Sequence, residues 1–294
     1  MTWTVLQWVW RLDSPLFIGM PPAGALNRCR LYLPARAMHG AVTSELARLN
    51  GEEKAKFPDY GKFGKEVGEN CRFTYLFPAE KQGGRFLTWT PKFEASKGRR
   101  WYCQGGRESL SDRDFRRRLL DSRPGTAIAP ESDSASEGSL RETECINPWW
   151  RDSSGKGETG STLLLGYVFL RNNGFRRQLD TIETLFVGGD TRYGLGKICR
   201  VGWREVSGDL SVFGKRVHLD REHPEIESDV VLGHAVDDGP PPIQEMRGMN
   251  ELLGGWDLGT PWEGKLTWVP GSFLEHTVAW SIDNYGYWMH QDKG

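Results

Sequence analysis

Between Leu185 and Ile198 the chain reads LFVGGDTRYGLGKI, and its four glycines, at 188, 189, 194 and 196, constrain the fold more than any other stretch. Residues without a Cβ allow tight turns and close backbone approaches, so the segment connects regular elements. Upstream, FRRQLDTIETLFVGG places Leu179, Ile182 and Phe186 on one helical face with charges on the other. Downstream, KICRVGWREV puts Cys199, Val201 and Trp203 on one side of a strand, with Arg200 and Arg204 opposite. An order of helix, loop, strand disfavours a Walker-type phosphate loop, which runs from strand to helix and needs Ser or Thr where Ile198 stands. A dinucleotide fingerprint also fails, because Gly194-x-Gly196 lacks the third glycine. The plainer account is a helix terminator with a bulge. Against it stand Arg192, Tyr193 and Lys197, two cations for phosphates and a ring for a base.

The remaining pattern supplies the partners of this loop. Residues 2–12 are rich in Trp and Val and read as a strand leaving through DSPLFIG, where Pro15 and Gly19 punctuate the chain. Met38, Val42, Leu46 and Leu49 recur at helical spacing between Pro34 and Asn50-Gly51. CRFTYLFP (71–78) and GRFLTWTPKF (84–93) read as a hairpin, and LRETECI and TLLLGYVFL as two further strands. Stripped of insertions, the order is strand, helix, two strands, helix, strand. That predicts an α+β protein with a ferredoxin-like, RRM-like βαββαβ core and an antiparallel sheet. The expected division is a core over 1–206, with insertions at about 52–160, and an irregular Trp-rich extension over 207–294 packed on the same domain. Residues 121–139, rich in Ser, Pro, Gly and Asp, are expected to form an exposed loop.

Composition narrows the function. The chain has 38 Lys and Arg against 39 Asp and Glu, so no global attraction to nucleic acid or to an anionic membrane exists. A polyanion site must be local. One local excess lies between Lys97 and Leu119, where Lys97, Arg99, Arg100, Arg107, Arg113, Arg116, Arg117 and Arg118 face Glu108, Asp112 and Asp114. Cysteines at 29, 71, 103, 145 and 199 form no CxxC pair, and no histidine stands at zinc-finger spacing, so no structural metal or other cofactor is expected. No apolar run reaches the roughly 20 residues of a membrane span, and the start lacks a secretory pattern, which together predict a cytoplasmic protein.

Three segments in order resemble a known family. SPLFIG with RLYLPARAMHGAVTSELARL, then GTAIAPESDSASEGSLRETECI, then the helix followed by GGDTRYGLGKI are similar to the first-strand loop, first helix, middle segment and glycine-rich loop of the RAMP superfamily of CRISPR-associated proteins. The likeness covers about residues 5–205, and departs where Ala129 and Pro130 replace the Asp and Arg usual in the middle segment. It implies a CRISPR RNA-binding protein that assembles with other RAMP backbone subunits and a large polymerase-like subunit. Within that family, subunits that cleave target RNA carry an acid in the loop after the first strand; GMPPAGALNRCRLY has none, and Asp13 precedes it as a turn residue. The resemblance therefore implies a non-enzymatic subunit capping the guide 5′ handle in a type III complex, or a backbone-type position. Its RNA contacts would be Arg28, Arg30, Arg36, Gly188, Gly189, Arg192, Tyr193, Gly194, Gly196 and Lys197.

Competing readings come from other residues. His39 near the first helix start is the candidate general acid or base of a metal-independent precursor-RNA endoribonuclease; a local hydrogen bond explains it more simply. Trp256, Trp262, Trp268, Trp280 and Trp288 suit a carbohydrate or protein-docking face, core packing being the cheaper account. The run DRDFRRRLL is equally a solvated helix face or a contact. Cys103 and Cys145 have no histidine beside them in sequence and read as buried thiols.

Overall fold

The computed structural model of the chain describes residues 3–51, 57–105, 108–152, 157–237, 242–257 and 260–290; Arg107 and the side chains of Trp256 and Trp262 lie outside the described set. Two long strands form the centre. β1 (Thr4–Leu12) and β9 (Leu163–Leu170) pair antiparallel without interruption from Thr4↔Leu170 to Arg11↔Leu163. Every residue of β9 is buried, so both of its faces are covered, which is why TLLLGYVFL is continuously apolar instead of alternating.

Around this pair the sheet grows on both sides. α1 (Ala35–Leu49) and α2 (Tyr60–Asn70) follow β1, then β2 (Cys71–Phe73) and β3 (Phe77–Gln82), both pairing with β9. β4 (Arg85–Glu94) forms a hairpin with β3, which begins at Phe77, so most of the expected 71–78 arm lies outside it; Gly83 and Gly84 close it at φ of 53° and 80°, as a two-residue turn between paired Gln82 and Arg85 requires. β5 (Gly98–Cys103) and β6 (Ser109–Ser111) extend that edge, and α3 (Asp112–Leu119) stacks Phe115 on Trp101 at 4.3 Å between ring centres. The segment Arg141–Ile146 (β8) leaves the main sheet: it pairs with β7 (Leu120–Gly125) and with Leu26–Asn27. Much of residues 121–139 is thus strand, though still largely exposed.

The second helix is shorter than its pattern. α4 (Asn173–Asp180) starts at Asn172, whose side chain accepts from the Gly174 N–H, and buries Phe175 and Leu179. It ends at Asp180, because β10 (Thr184–Phe186) is taken up by the antiparallel ladder of β11 (Lys197–Glu205). Phe186 is therefore an exposed strand residue, and the glycine segment joins two strands, not a helix to a strand. The alternation expected in β11 also fails, because a bulge opposite Val9 and Trp10 leaves Val201 without a partner and exposed. The main sheet runs β10-β11-β1-β9-β3-β4-β5-β6, with α1 against α4, α1 on β2 and β10, and α4 on β9.

Residues 211–290 are more regular than their sequence suggests. β12 (Ser211–Val212), β13 (Lys215–His218), β14 (Glu225–Val230), β15 (Ala235–Val236), β16 (Asn250–Asp257), β17 (Thr260–Trp268), β18 (Phe273–Ile282) and β19 (Trp288–His290) form one sheet in the order β12-β13-β14-β18-β19-β15-β17-β16. Trp280 and Trp288 are fully buried within it, so core packing accounts for both. Backbone bonds from Phe93 to Gly271 (2.8 Å) and from Trp3 to Leu219 (2.8 Å) tie the two sheets, and one hydrophobic cluster spans them. No described helix is long and apolar enough to cross a membrane.

Candidate nucleic-acid interface

The chain leaving β1 runs directly beneath the glycine segment. The Gly189 N–H donates to the Phe17 carbonyl at 2.9 Å and the Gly196 N–H to the Pro15 carbonyl at 2.8 Å. Lys197 closes the other side: its carbonyl accepts from the Asp13 N–H at 2.9 Å, and its N–H donates to the Ser14 hydroxyl at 2.9 Å. A Cβ on Gly188 would collide with the Phe17 carbonyl, and one on Gly196 with the Val187 carbonyl. These glycines thus serve the chain's own backbone, while a Cβ on Gly194 would meet open space.

The middle segment joins the same cluster. Leu16 and Ile146 exchange N–H···O bonds of 2.9 and 2.8 Å, and the Glu142 N–H donates to the Ala25 carbonyl at 3.0 Å. Residues 14–19, 141–146 and 187–196, remote in sequence, therefore meet at one place. Asp190, in the left-handed region at φ 56°, turns the loop into a short 3-10 segment, Thr191–Tyr193. That turn carries Arg192 and Tyr193 outward, both exposed, Tyr193 at 73%.

Arg141 of β8 reaches the tyrosine, its guanidinium carbon 5.9 Å from the ring centre. Arg123, opposite Thr143 in the β7–β8 ladder, stands two pairs along from Arg141, on the same face, and is exposed. Arg28 is half-buried just past the short strand Leu26–Asn27, its carbonyl accepting from the Met20 N–H at 3.1 Å. A ring beside the Arg141 guanidinium, with Arg192 next to it in the chain, on a ridge of backbone fixed from beneath, is suited to one stacked base and its flanking phosphates. Sequence reading missed Arg123 and Arg141. Their signal was an arginine on each of two strands that only the 121–146 hairpin brings together.

Other expected contacts are already engaged. Arg30 is held by Glu251 through both terminal guanidinium nitrogens, and donates from Nε to the Gly19 carbonyl at 3.2 Å and from Nη1 to Tyr32 at 3.4 Å; its side chain is 10% exposed. Lys197 Nζ lies 3.3 Å from Asp13, whose carboxylate also receives the Cys199 thiol at 3.1 Å and Arg11 at 2.7 Å. Hydrogen bonds from Cys199 and Arg11, with help from Lys197, hold Asp13 down at about 2. Arg36 sits over the Tyr285 ring at 4.7 Å, in a groove on the face of α1 next to the one that meets the glycine segment.

The basic run at 97–119 is largely neutralised within the fold. Lys97 pairs with Glu94 (3.2 Å), Arg99 with Asp112 (2.7 Å), Arg116 with Glu144 (2.7 Å), and Arg118 with Glu80 and Glu108 at 3.8 and 3.7 Å. Burial pushes the thiols of Cys29 and Cys145 up to about 12 and about 11, which disfavours a nucleophilic role for either. Among the described residues no three His, Cys, Asp or Glu side chains are placed to hold a metal ion.

His39 lies in a groove of about 630 Å³ between α1, α2 and the turn at 283–287. Its ring stands edge-on to Phe73 and Tyr285, 6.5 and 6.2 Å between centres. The facing helix α2 escaped the sequence reading, because Gly61, Gly64 and Gly68 weaken its pattern; each costs a helix about 1 kcal/mol relative to alanine.

No family model and no curated protein matches the sequence. Solved structures match in fold. A chain of the cryo-EM structure of the type III-B Cmr-β complex bound to cognate target RNA and AMPPNP aligns over 93% of this chain and 86% of its own, with a TM-score of 0.55 at 12% identity. A chain of the same complex bound to cognate target RNA aligns with the same coverage and TM-score at 11% identity. At this identity the likeness is one of fold.

Proposed function

We propose that this chain is a CRISPR RNA-binding subunit of a type III effector complex, touching the guide 5′ handle or backbone through the ridge of Tyr193, Arg192, Arg141, Arg123 and Arg28. The observation that carries the reading is the convergence of three remote segments, each similar to a RAMP motif, on one exposed, cation-lined ridge. The fold shared with a chain of RNA-bound type III-B complexes supports the setting. The strands β11-β1-β9 with β2 and β3, antiparallel throughout, and the neighbouring helices α1 and α4 support a ferredoxin-like core as the scaffold. In this reading its partners are other RAMP backbone subunits and a large polymerase-like subunit, in a cytoplasmic ribonucleoprotein, and the chain binds RNA without cleaving it.

Alanine at Arg141 and Arg192 together tests the ridge. Guide RNA affinity of the assembled particle should fall, and the slope of log K against log salt should drop by about 1 for each phosphate no longer neutralised. Unchanged retention of RNA and unchanged salt slope would sink the proposal. A second reading, cleavage of precursor RNA with His39 as acid or base, draws on the groove that His39 shares with Arg36 and Lys65. Incubation with repeat RNA in EDTA decides it: specific cleavage abolished by His39→Ala would make the chain a nuclease.

A further inference from the structure

The groove between α1, α2 and the 283–287 turn has a composition that packing does not explain. Gly61, Gly64 and Gly68 recur at helical spacing and all three line it. A Cβ on Gly61 would meet nothing nearer than 3.7 Å, on Gly64 than 3.5 Å and on Gly68 than 3.7 Å, so alanine would fit at each. None of the three has a positive φ. The helix therefore gives up stability for open space along one face. Thr43 faces that space from α1. It is 8% exposed, and its hydroxyl finds no hydrogen-bond partner among the described residues, which a bound polar group would relieve.

The rest of the lining defines what fits. Arg36 and Lys65 bring positive charge, with Glu69 on the rim 3.9 Å from Lys65. Pro34 caps α1 without a side-chain bond, and no acid stands in the first turn, so the helix supplies no negative charge of its own to its positive end. Tyr60, Tyr285 and His39 supply rings, and Asn284 an amide. The turn that presents Asn284 and Tyr285 is rigid: Asp283 accepts from the N–H groups of Tyr285 and Tyr287, both at 2.8 Å, and Gly286, at φ 79°, lies so close to Ala35 that a Cβ would collide.

From this we infer that the groove is a binding site for a nucleoside monophosphate unit, its base among the rings of Tyr60 and Tyr285 and its phosphate between Arg36 and Lys65. The volume of about 630 Å³ suits a ligand of that size. This site is separate from the guide-contacting ridge, and the unit is either a free nucleotide or one residue of a single strand.

Calorimetric titration of the full chain with AMP, adenosine, inorganic phosphate and single-stranded oligoadenylate tests the site. AMP or oligoadenylate should bind more tightly than adenosine or phosphate alone. Gly64→Leu, which fills the groove, and Lys65→Ala should each weaken that binding about tenfold or more, whereas Arg141→Ala and Arg192→Ala should leave AMP binding unchanged. AMP matching oligoadenylate identifies a free nucleotide; tight oligoadenylate with weak AMP identifies a strand. Absence of binding by either, or binding that survives both groove variants, overturns the inference. If Gly64→Leu fails to fold, Lys65→Ala and Tyr285→Leu decide alone. Loss of RNA affinity on the ridge variants is read separately, so the two proposals fail independently.

Discussion

Gly194 and Gly196 are two positions apart and hold nearly the same backbone conformation, at φ of 84° and 78°, yet they answer to different constraints. Gly196→Ala drives a Cβ into the Val187 carbonyl and should cost about 3 kcal/mol or more in urea unfolding. Gly194→Ala meets open space and should cost about 1 kcal/mol, the penalty of the left-handed backbone alone. Equal losses would mean that the Gly196 backbone does not lie against the Val187 carbonyl as described. The four glycines were legible as a structural necessity, but not whom they approach. Arg30 shows the same limit more sharply: in sequence it is a free cation beside Arg28, and the Glu251 that occupies it lies 221 positions away. Tyr193 and Arg192 were legible because a short turn exposes whatever it carries.

At the scale of elements, the join between the sheets is a polar network. His234, 1% exposed, accepts or donates with Tyr75 across 2.7 Å and reaches Glu251 at 3.4 Å, while Glu251 grips Arg30. Burial raises Glu251, but hydrogen bonds from His234 and Arg30 and the guanidinium charge outweigh it and hold the carboxylate at about 2, against an ordinary 4.5. Its contribution to stability is complete above about 4.5 and is lost as pH falls toward 2. Burial likewise lowers His234 from its ordinary 6.5, so the neutral ring's contribution is complete above 6.5 and declines as acid forces protonation. Acid titration of the melting temperature should therefore fall in two steps. Glu251→Gln should shrink the lower one, to which Asp13 and Asp229, also held at about 2, contribute, and should cost about 3 kcal/mol at neutral pH, because Arg30 is left buried without its counter-charge. In α2, Gly64→Ala should raise the melting temperature, gaining about 1 kcal/mol of helix propensity where the added methyl fits. Helix α1 was legible because Met38, Val42 and Leu46 all turn inward; α2 was not, since its buried residues are Phe63 and Val67 alone. In β14 the buried and half-buried residues alternate, but Ser228 occupies a buried place, and that hydroxyl disguises the strand.

Over the whole molecule, one core runs from Trp3 to Trp288 through both sheets. Unfolding followed by circular dichroism should accordingly show a single cooperative transition, with no separate loss of residues 207–294; two resolved transitions would divide the chain at that point. The α+β class and the central strands were legible because burial on both faces leaves unbroken apolar runs. The second sheet was not, because its register depends on partners as distant as β14 and β18. Burial of Trp8, Trp10, Trp89, Trp101, Trp150 and Trp280, with the Trp8 and Trp10 rings 4.9 Å apart, also fixes what light can report. Emission from these six indoles will be shifted to the blue, pooled by energy transfer among neighbours, and governed by integrity of the core. The proposed ridge carries a tyrosine instead, so a test of RNA binding there has to be read from a dye on the nucleic acid.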